Sequence, residues 1–181
     1  MGLPPVIYSP GPRSSGAAAF ALPPVIVKPS VGGGGSANVF IAQDQRELLA
    51  LAEYLGLDRQ KGAFLIQEYV GTPESEYTVG VLHDMDGNYL NSIAVHRYLS
   101  GQLNIRSSVL NRTGRSDLGG KLVVSSGISH GFVGRFPEVT RQCRDIARAI
   151  DARGAINIQC RLVNGKVKVF EINPRFSGTT S

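Results

Sequence analysis

Residues able to do chemistry gather at two places in this 181-residue chain, one near each end. Near the C-terminal end stands Phe170-Glu171-Ile172-Asn173-Pro174-Arg175-Phe176-Ser177-Gly178. It follows the alternating run Lys166-Val167-Lys168-Val169, which reads as a β-strand. Side chains two apart on a strand share a face, so Glu171 and Asn173 set a carboxylate beside an amide oxygen. Hard oxygen donors of that kind suit a divalent cation that also carries substrate phosphates. Pro174 has no N–H and ends the ladder. Arg175 follows at the strand exit, where a guanidinium can reach phosphoryl oxygens. A strand ending in a surface salt bridge would show the same residues.

Near the N-terminal end, Pro24-Val25-Ile26-Val27-Lys28-Pro29 is a short β-branched strand that delivers Lys28 to its end. Ser30-Val31-Gly32-Gly33-Gly34-Gly35-Ser36 follows, and Ala37 to Ala42 resumes strand character. Glycines let the backbone approach a ligand and adopt positive φ, so successive N–H groups can face an anion. A flexible linker has the same composition. The Gly-Lys-Ser/Thr ending of a P-loop is absent.

These two places need elements to position them. Asp44 can N-cap a helix, with Glu47 completing a capping box and Leu48, Leu51, Ala52 and Leu55 as its apolar stripe. Ala63 to Val70 reads as a strand, then a turn at Gly71-Thr72-Pro73, then a strand over Glu76 to Leu82. Asp84 to Asn88 is a turn, and strands follow at Tyr89 to His96 and Tyr98 to Ser107. Residues 108 to 135 give no clear pattern. Pro137 opens a second helix with Val139, Cys143, Ile146, Ala147 and Ile150 as its buried stripe. Strands at Ala155 to Val163 and Lys166 to Asn173 form the last hairpin around Asn164-Gly165. Residues 1 to 23 are rich in Pro, Gly, Ser and Ala and read as an irregular entry segment.

Glu-Ile-Asn-Pro-Arg near the C-terminus, with an upstream Val-Lys-Pro and glycine loop, resembles the ATP-grasp family over roughly residues 24 to 181. The nearest flavour is the ATP-binding domain of the carbamoyl-phosphate synthase large subunit and related carboxylate–amine ligases. The resemblance implies an α+β fold in which two small antiparallel sheets with packed helices sandwich a nucleotide. It implies ATP and Mg²⁺, with Mn²⁺ as an alternative, and small carboxylate and amine substrates. Lys28 would bind the α and β phosphates, and Gly33, Gly34, Gly35 and Ser36 would cover them. Glu68 would accept from the adenine amino group, helped by backbone groups of Tyr69 and Val70, and Glu76 would hold the ribose hydroxyls. Gln159, Glu171 and Asn173 would hold the metal, while Arg175 and Arg97 would stabilise the transferring phosphoryl group. His96 reads as a hydrogen-bonded structural residue. Relatives carry a preceding domain with a further lysine and continue with a helix, so the expectation is an excerpt or a reduced member.

The last hairpin holds a test of register. A two-residue Asn164-Gly165 loop pairs Val163 with Lys166 and sets Gln159 opposite Phe170, on the wrong face from Glu171. A bulge at Asn164 to Lys166 brings Gln159 opposite Glu171. Apolar matching favours the first register. The metal reading needs the second, and the bulge is the expectation.

Composition narrows the class. With 42% apolar and 18% charged residues, the chain can bury a core in one domain. No run approaches the ~18 apolar residues of a membrane span. The formal charge of +5 is scattered with no aromatic–basic patch, which argues against nucleic acid. Cys143 and Cys160 have no metal spacing and read as buried thiols of a cytoplasmic protein. A non-catalytic or regulatory ATP-binding module is the alternative to a ligase.

Overall fold

The computed structural model describes residues 23–31, 36–57, 63–101 and 103–177. Residues 1–22 of the expected entry segment and Gly33, Gly34 and Gly35 lie outside the described residues. In chain order the elements are β1 (Val25–Pro29), β2 (Phe40–Ala42), α1 (Gln45–Tyr54), β3 (Phe64–Glu68), β4 (Glu76–His83), β5 (Tyr89–Arg97), β6 (Ile105–Leu110), β7 (Lys121–Ser125), β8 (Gly131–Gly134), α2 (Pro137–Ala149), β9 (Ala155–Val163) and β10 (Lys166–Asn173). They divide into two compact units. Residues up to Tyr69 join Ile105–Gly127 in the first, and Val70–Asn104 joins residues from Ile128 on in the second.

In the first unit β1 lies between β2 and β3, antiparallel to both. Its alternation turns Val25 and Val27 into a core with Ala42 and Leu48, against which Leu51, Leu55, Phe64 and Ile66 pack. The α1 start follows the capping logic: Asp44 Oδ1 accepts from the Glu47 N–H at 2.8 Å. Glu47 Oε2 returns a bond to the N–H of Gln43, one residue earlier than a standard capping box, at 2.7 Å. The strand expected from Ala37 is shorter. Ser36 and Asn38 adopt positive φ of 60° and 57°, so the chain turns there before extending at Phe40. Strands β6 and β7 form a separate antiparallel pair.

The second unit is a five-stranded antiparallel sheet in the order β10-β9-β4-β5-β8. Alternation gives it two different faces. Tyr77, Val79, Val81, Ala94, Ile156, Ile158 and Cys160 meet Val139, Cys143 and Ala147 of α2. Full burial of an aliphatic side chain of this size contributes roughly 1.5–3 kcal/mol. The other face carries Glu76, Thr78, Arg97, Asn157, Gln159 and Arg161, and all but Gln159 are buried. Both cysteines are free thiols on the α2 side. A hydrogen bond with Cys143 and burial push the Cys160 thiol well above the usual range.

Two expectations are corrected here. The strand expected at Tyr98 to Ser107 begins only at Ile105. Asn104 instead closes a turn, donating to the Tyr98 carbonyl and accepting from the Gly101 N–H. The featureless stretch 108–135 contains β7 and β8. His96 is structural, as expected: its Nε2 meets the Glu74 carbonyl at 2.5 Å, and its ring stacks on Tyr77 at 4.7 Å.

Candidate functional site

The hairpin β9–β10 decides where the C-terminal donors point. Its turn is the two-residue loop, with Asn164 and Gly165 both at positive φ (49° and 71°), as a tight hairpin of matching twist requires. Val163 pairs with Lys166, and Cys160 with Val169. The ladder then shifts by one residue between Val169 and Glu171, so Glu171 stands opposite Gln159 and Asn173 opposite Asn157. The expected bulge at Asn164 to Lys166 is therefore misplaced; it lies at Phe170. The turn takes the register that apolar matching favours, and the far end takes the one the donors need. The reason is local. Without the shift Glu171 would face Ile158, and its carboxylate would enter the apolar side.

The result is a polar row on the edge of the sheet. Asn173 Nδ2 donates to Glu171 Oε1 at 2.7 Å, so acid and amide do share a face. Gln159, opposite Glu171, is flanked on its other side by Thr78 of β4. Thr78 Oγ1 donates to Asn157 Oδ1 at 2.7 Å, which fixes the neighbouring amide. Gln159, Glu171 and Asn173 offer one carboxylate and two neutral amide oxygens. That donor set fits a hard divalent cation that draws most of its ligands from phosphates and water. It does not make a dedicated all-protein cage, and no group of three His, Cys, Asp or Glu occurs among the described residues. Arg175, beyond the row, is exposed; its N–H donates to the Asn173 carbonyl at 2.8 Å and its Nη1 to the Phe176 carbonyl.

Next along the same face lies a buried ion triad. Glu76 is 1% exposed. Its Oε1 accepts from Arg97 Nη1 at 3.0 Å. Its Oε2 accepts from Arg161 Nε at 3.2 Å and Nη2 at 3.1 Å. Arg97 Nη2 also donates to the Ile128 carbonyl at 2.9 Å. Burial lowers the Arg97 pKa, and Glu76 and then Glu171 oppose that shift. The arrangement is that of a buried charge cluster. The ribose role expected of Glu76 and the phosphoryl role expected of Arg97 find their charges already spent on each other.

The upstream residues lie in the first unit. Lys28 is half-buried on β1 opposite Leu65. Ser36 Oγ donates to the Ser125 carbonyl at 2.7 Å. Glu68 ends β3, 3.9 Å from Arg115 Nη1. Tyr69 is buried; its N–H donates to the Pro24 carbonyl at 3.0 Å, and its hydroxyl accepts from the Val123 N–H at 2.7 Å. Val70, first residue of the second unit, has its carbonyl bound by Arg161 Nη1 at 3.1 Å. Sequence reasoning missed Arg161, Asn157 and Thr78. The alternation Asn157-Gln159-Arg161 was the available signal, since it marks one polar face of an otherwise apolar strand.

Comparison with known proteins follows from this geometry. Residues 124–181 match the model of a family described as ATP-grasp in the biosynthetic pathway with Ter operon. No curated protein matches the chain. Among solved structures, D-alanine–D-alanine ligase from Bacillus anthracis complexed with ATP aligns with a TM-score of 0.54 at 16% identity. The alignment covers 98% of this chain and 54% of that one. The ADP complex of N5-carboxyaminoimidazole ribonucleotide synthetase aligns at 0.51 and 11% identity, covering 86% of this chain and 36% of that one. The chain spans about half the length of the first and about a third of the second. At such identities the shared property is the fold.

Proposed function

This chain has the ATP-grasp fold, and from that premise we propose that it binds Mg-ATP and activates a carboxylate for capture by an amine or similar nucleophile. A substrate carboxylate oxygen attacks the γ-phosphoryl group, ADP leaves, and the acyl phosphate is then attacked by the nucleophile with release of phosphate. Transfer of this kind depends on positioning and on charge placed where it develops. Lys28 would neutralise the α and β phosphates, and the glycine loop with Ser36 would cover them. Backbone groups around Glu68, Tyr69 and Val70 would hold the adenine, and Arg175 would meet the transferring phosphoryl group. Gln159, Glu171 and Asn173 would hold Mg²⁺, which supplies charge neutralisation on the phosphates when bound.

The observation that carries this reading is the shifted hairpin. Its bulge at Phe170 sets Glu171 against Gln159 with Asn173 beside it. The ATP in the Bacillus anthracis ligase structure and the ADP in the synthetase structure point the same way. Thermal unfolding with and without Mg-ATP tests the reading. Ligand at 100 times its dissociation constant adds about 2.7 kcal/mol, a shift of roughly 5–11 °C for a chain of this size. Glu171→Ala should abolish the magnesium-dependent part of the shift. An unchanged midpoint for the wild-type chain would sink the proposal.

The donor charge favours one second reading. Glu171 is the only carboxylate in the proposed metal row, so the chain could bind nucleotide without acting as a ligase. A full Mg-ATP shift with no ADP release, assayed with pooled carboxylates and amines, would select that reading.

A further inference from the structure

Within the second unit, the first two turns of α2 and the start of β5 bound a groove of about 510 Å³, lined by Tyr89, Pro137, Glu138, Thr140, Arg141 and Arg144. None of these residues enters the proposed function. We propose that this groove docks an extended, acidic segment of a partner protein, which adds as a strand to the open end of β5. The proposal does not rest on the ATP reading.

Charge is the first support. Arg141, Arg144 and Arg148 are spaced three and four apart, so they share one side of α2. Elsewhere Arg97, Arg112, Arg115, Arg153 and Arg161 each hold a carboxylate at 3.1 Å or less. Along the groove the pattern differs. Arg141 and Arg148 make no ion pair among the described residues. Arg144 has only its neighbour: Nε lies 3.6 Å from Asp145 Oδ1, too far for a hydrogen bond. Its guanidinium instead lies over the Tyr89 ring, 5.5 Å from the centroid. Glu138, the acid of the groove itself, leans toward the β9–β10 turn; its Oε1 is 3.1 Å from where a Cβ on Gly165 would stand. Planar guanidiniums left without carboxylates are forks that suit the carboxylates of another chain.

The second support is the edge of the sheet. Strand β8 pairs with β5 only from Ala94 to Arg97, because the chain leaves that line after Gly134 to enter α2. The outer edge of β5 from Tyr89 to Ile93 therefore has no strand beside it among the described residues. Leu90 and Ile93 are 55% and 38% exposed there. The edge is only lightly capped: Asn91 Oδ1 accepts from the Ser92 N–H at 2.8 Å, a local bond that an incoming carbonyl can replace. Ser92 stands opposite Val81, and the Tyr89 and Ser92 hydroxyls meet at 2.8 Å, so both side chains lie on the α2 face. Ile93, next in the alternation, lies on the other face. A strand laid along this edge turns alternate side chains toward the arginines and the rest toward Ile93. The segment that fits carries acids at every second position, with small or apolar residues between them.

The test is fluorescence anisotropy of a labelled peptide of alternating glutamate and threonine, with the same residues in two blocks as the control. The expected result is one-to-one binding of the alternating peptide, weaker binding of the block peptide, and affinity that falls with salt. In the double variant Arg141→Glu/Arg144→Glu two attractions become repulsions, so the dissociation constant should rise about tenfold or more. Arg144 also covers Tyr89, so Arg141→Glu alone serves if the double variant fails to fold, with an expected rise of about threefold. Hydrogen exchange on the wild-type chain gives a readout that a merely electrostatic surface would not move: the peptide should slow exchange of the Ser92 amide. No binding of the alternating peptide, equal binding of the block peptide, or unchanged exchange at Ser92 overturns the proposal. Tighter binding of oligothymidylate than of the peptide overturns it too, and marks the groove as a nucleic-acid surface instead.

Discussion

Replacing Glu76 with glutamine tests whether the charge cluster is what it looks like. The side chain keeps its shape but loses its charge, and one of its oxygens becomes an amide donor facing a guanidinium. Arg97 at 2% and Arg161 at 5% exposure would then be left without their shared counter-charge. At 3.0 Å, a single pair is worth about 5–6 kcal/mol of Coulomb attraction with an effective dielectric of about 20. Desolvation of the ions cancels much of that in the intact cluster, but not when one partner is removed. The expected loss is therefore about 3–5 kcal/mol. For a chain of this size that lowers the melting midpoint by roughly 6–20 °C. The assay is urea or thermal unfolding followed by circular dichroism, with the exposed Arg115–Asp117 pair as a reference. That pair is 2.7 Å apart with Asp117 63% exposed, and Asp117→Asn should leave the midpoint nearly unchanged, because exposed pairs contribute little. Replacing Glu76, Arg97 and Arg161 together with apolar residues of similar volume should recover most of the loss. A Glu76→Gln chain as stable as wild type would refute the argument, because two desolvated guanidiniums cannot lose their carboxylate at no cost.

Three other outcomes can be checked alongside it. Deleting Phe170 removes the extra residue and leaves Glu171 opposite Gln159, so an Mg-ATP shift, if present, should survive; its loss would show that the bulge shapes the donors directly. Gly71→Ala forces a side chain into positive φ and against Val163, and should cost about 1–3 kcal/mol in unfolding measurements. The Cys160 thiol has a raised pKa in the folded chain. Its contribution is fully present below the ordinary thiol pKa of about 8.5 and is lost as pH rises above it, because only the unfolded chain ionises there. Stability should therefore decline on the alkaline side, and Cys160→Ala should flatten that decline.

The legible parts of the sequence were those in which short-range chemistry decides. Asp44 and Glu47 define a helix start within four residues, and β9 and β10 have the bounds their alternation predicts. The bulge was also written in the sequence, though the turn concealed it. Apolar residues fall on odd numbers at Val167 and Val169 and on an even number at Ile172, so the phase must slip near Phe170. The expectation put the slip at Asn164 to Lys166, but Asn164-Gly165 is such a good two-residue turn that the fold keeps it and takes up the slip at Phe170. The charge cluster was illegible. Glu76 lies 21 residues from Arg97 and 85 from Arg161, and no local pattern couples them. Glu76 was expected to hold the ribose hydroxyls, and only strand order shows that β4 lies between the two arginine-bearing strands. The strand misplaced at Tyr98 failed for a different reason: Asn104 and Gly101 supply turn chemistry inside a run that alternates well enough to pass for extended chain.

The path of the polypeptide through its two halves has a practical consequence. The chain crosses from one compact unit to the other after Tyr69, back after Asn104, and again after Gly127. No single cut can release either half intact. A protease nick after Tyr69 divides the first half between two fragments, one after Gly127 divides the second, and one after Asn104 divides both. Limited digestion should therefore yield fragments that stay associated until denatured, and a genetic dissection needs a spliced gene that joins Tyr69 to Ile105 and leaves the intervening hairpin out.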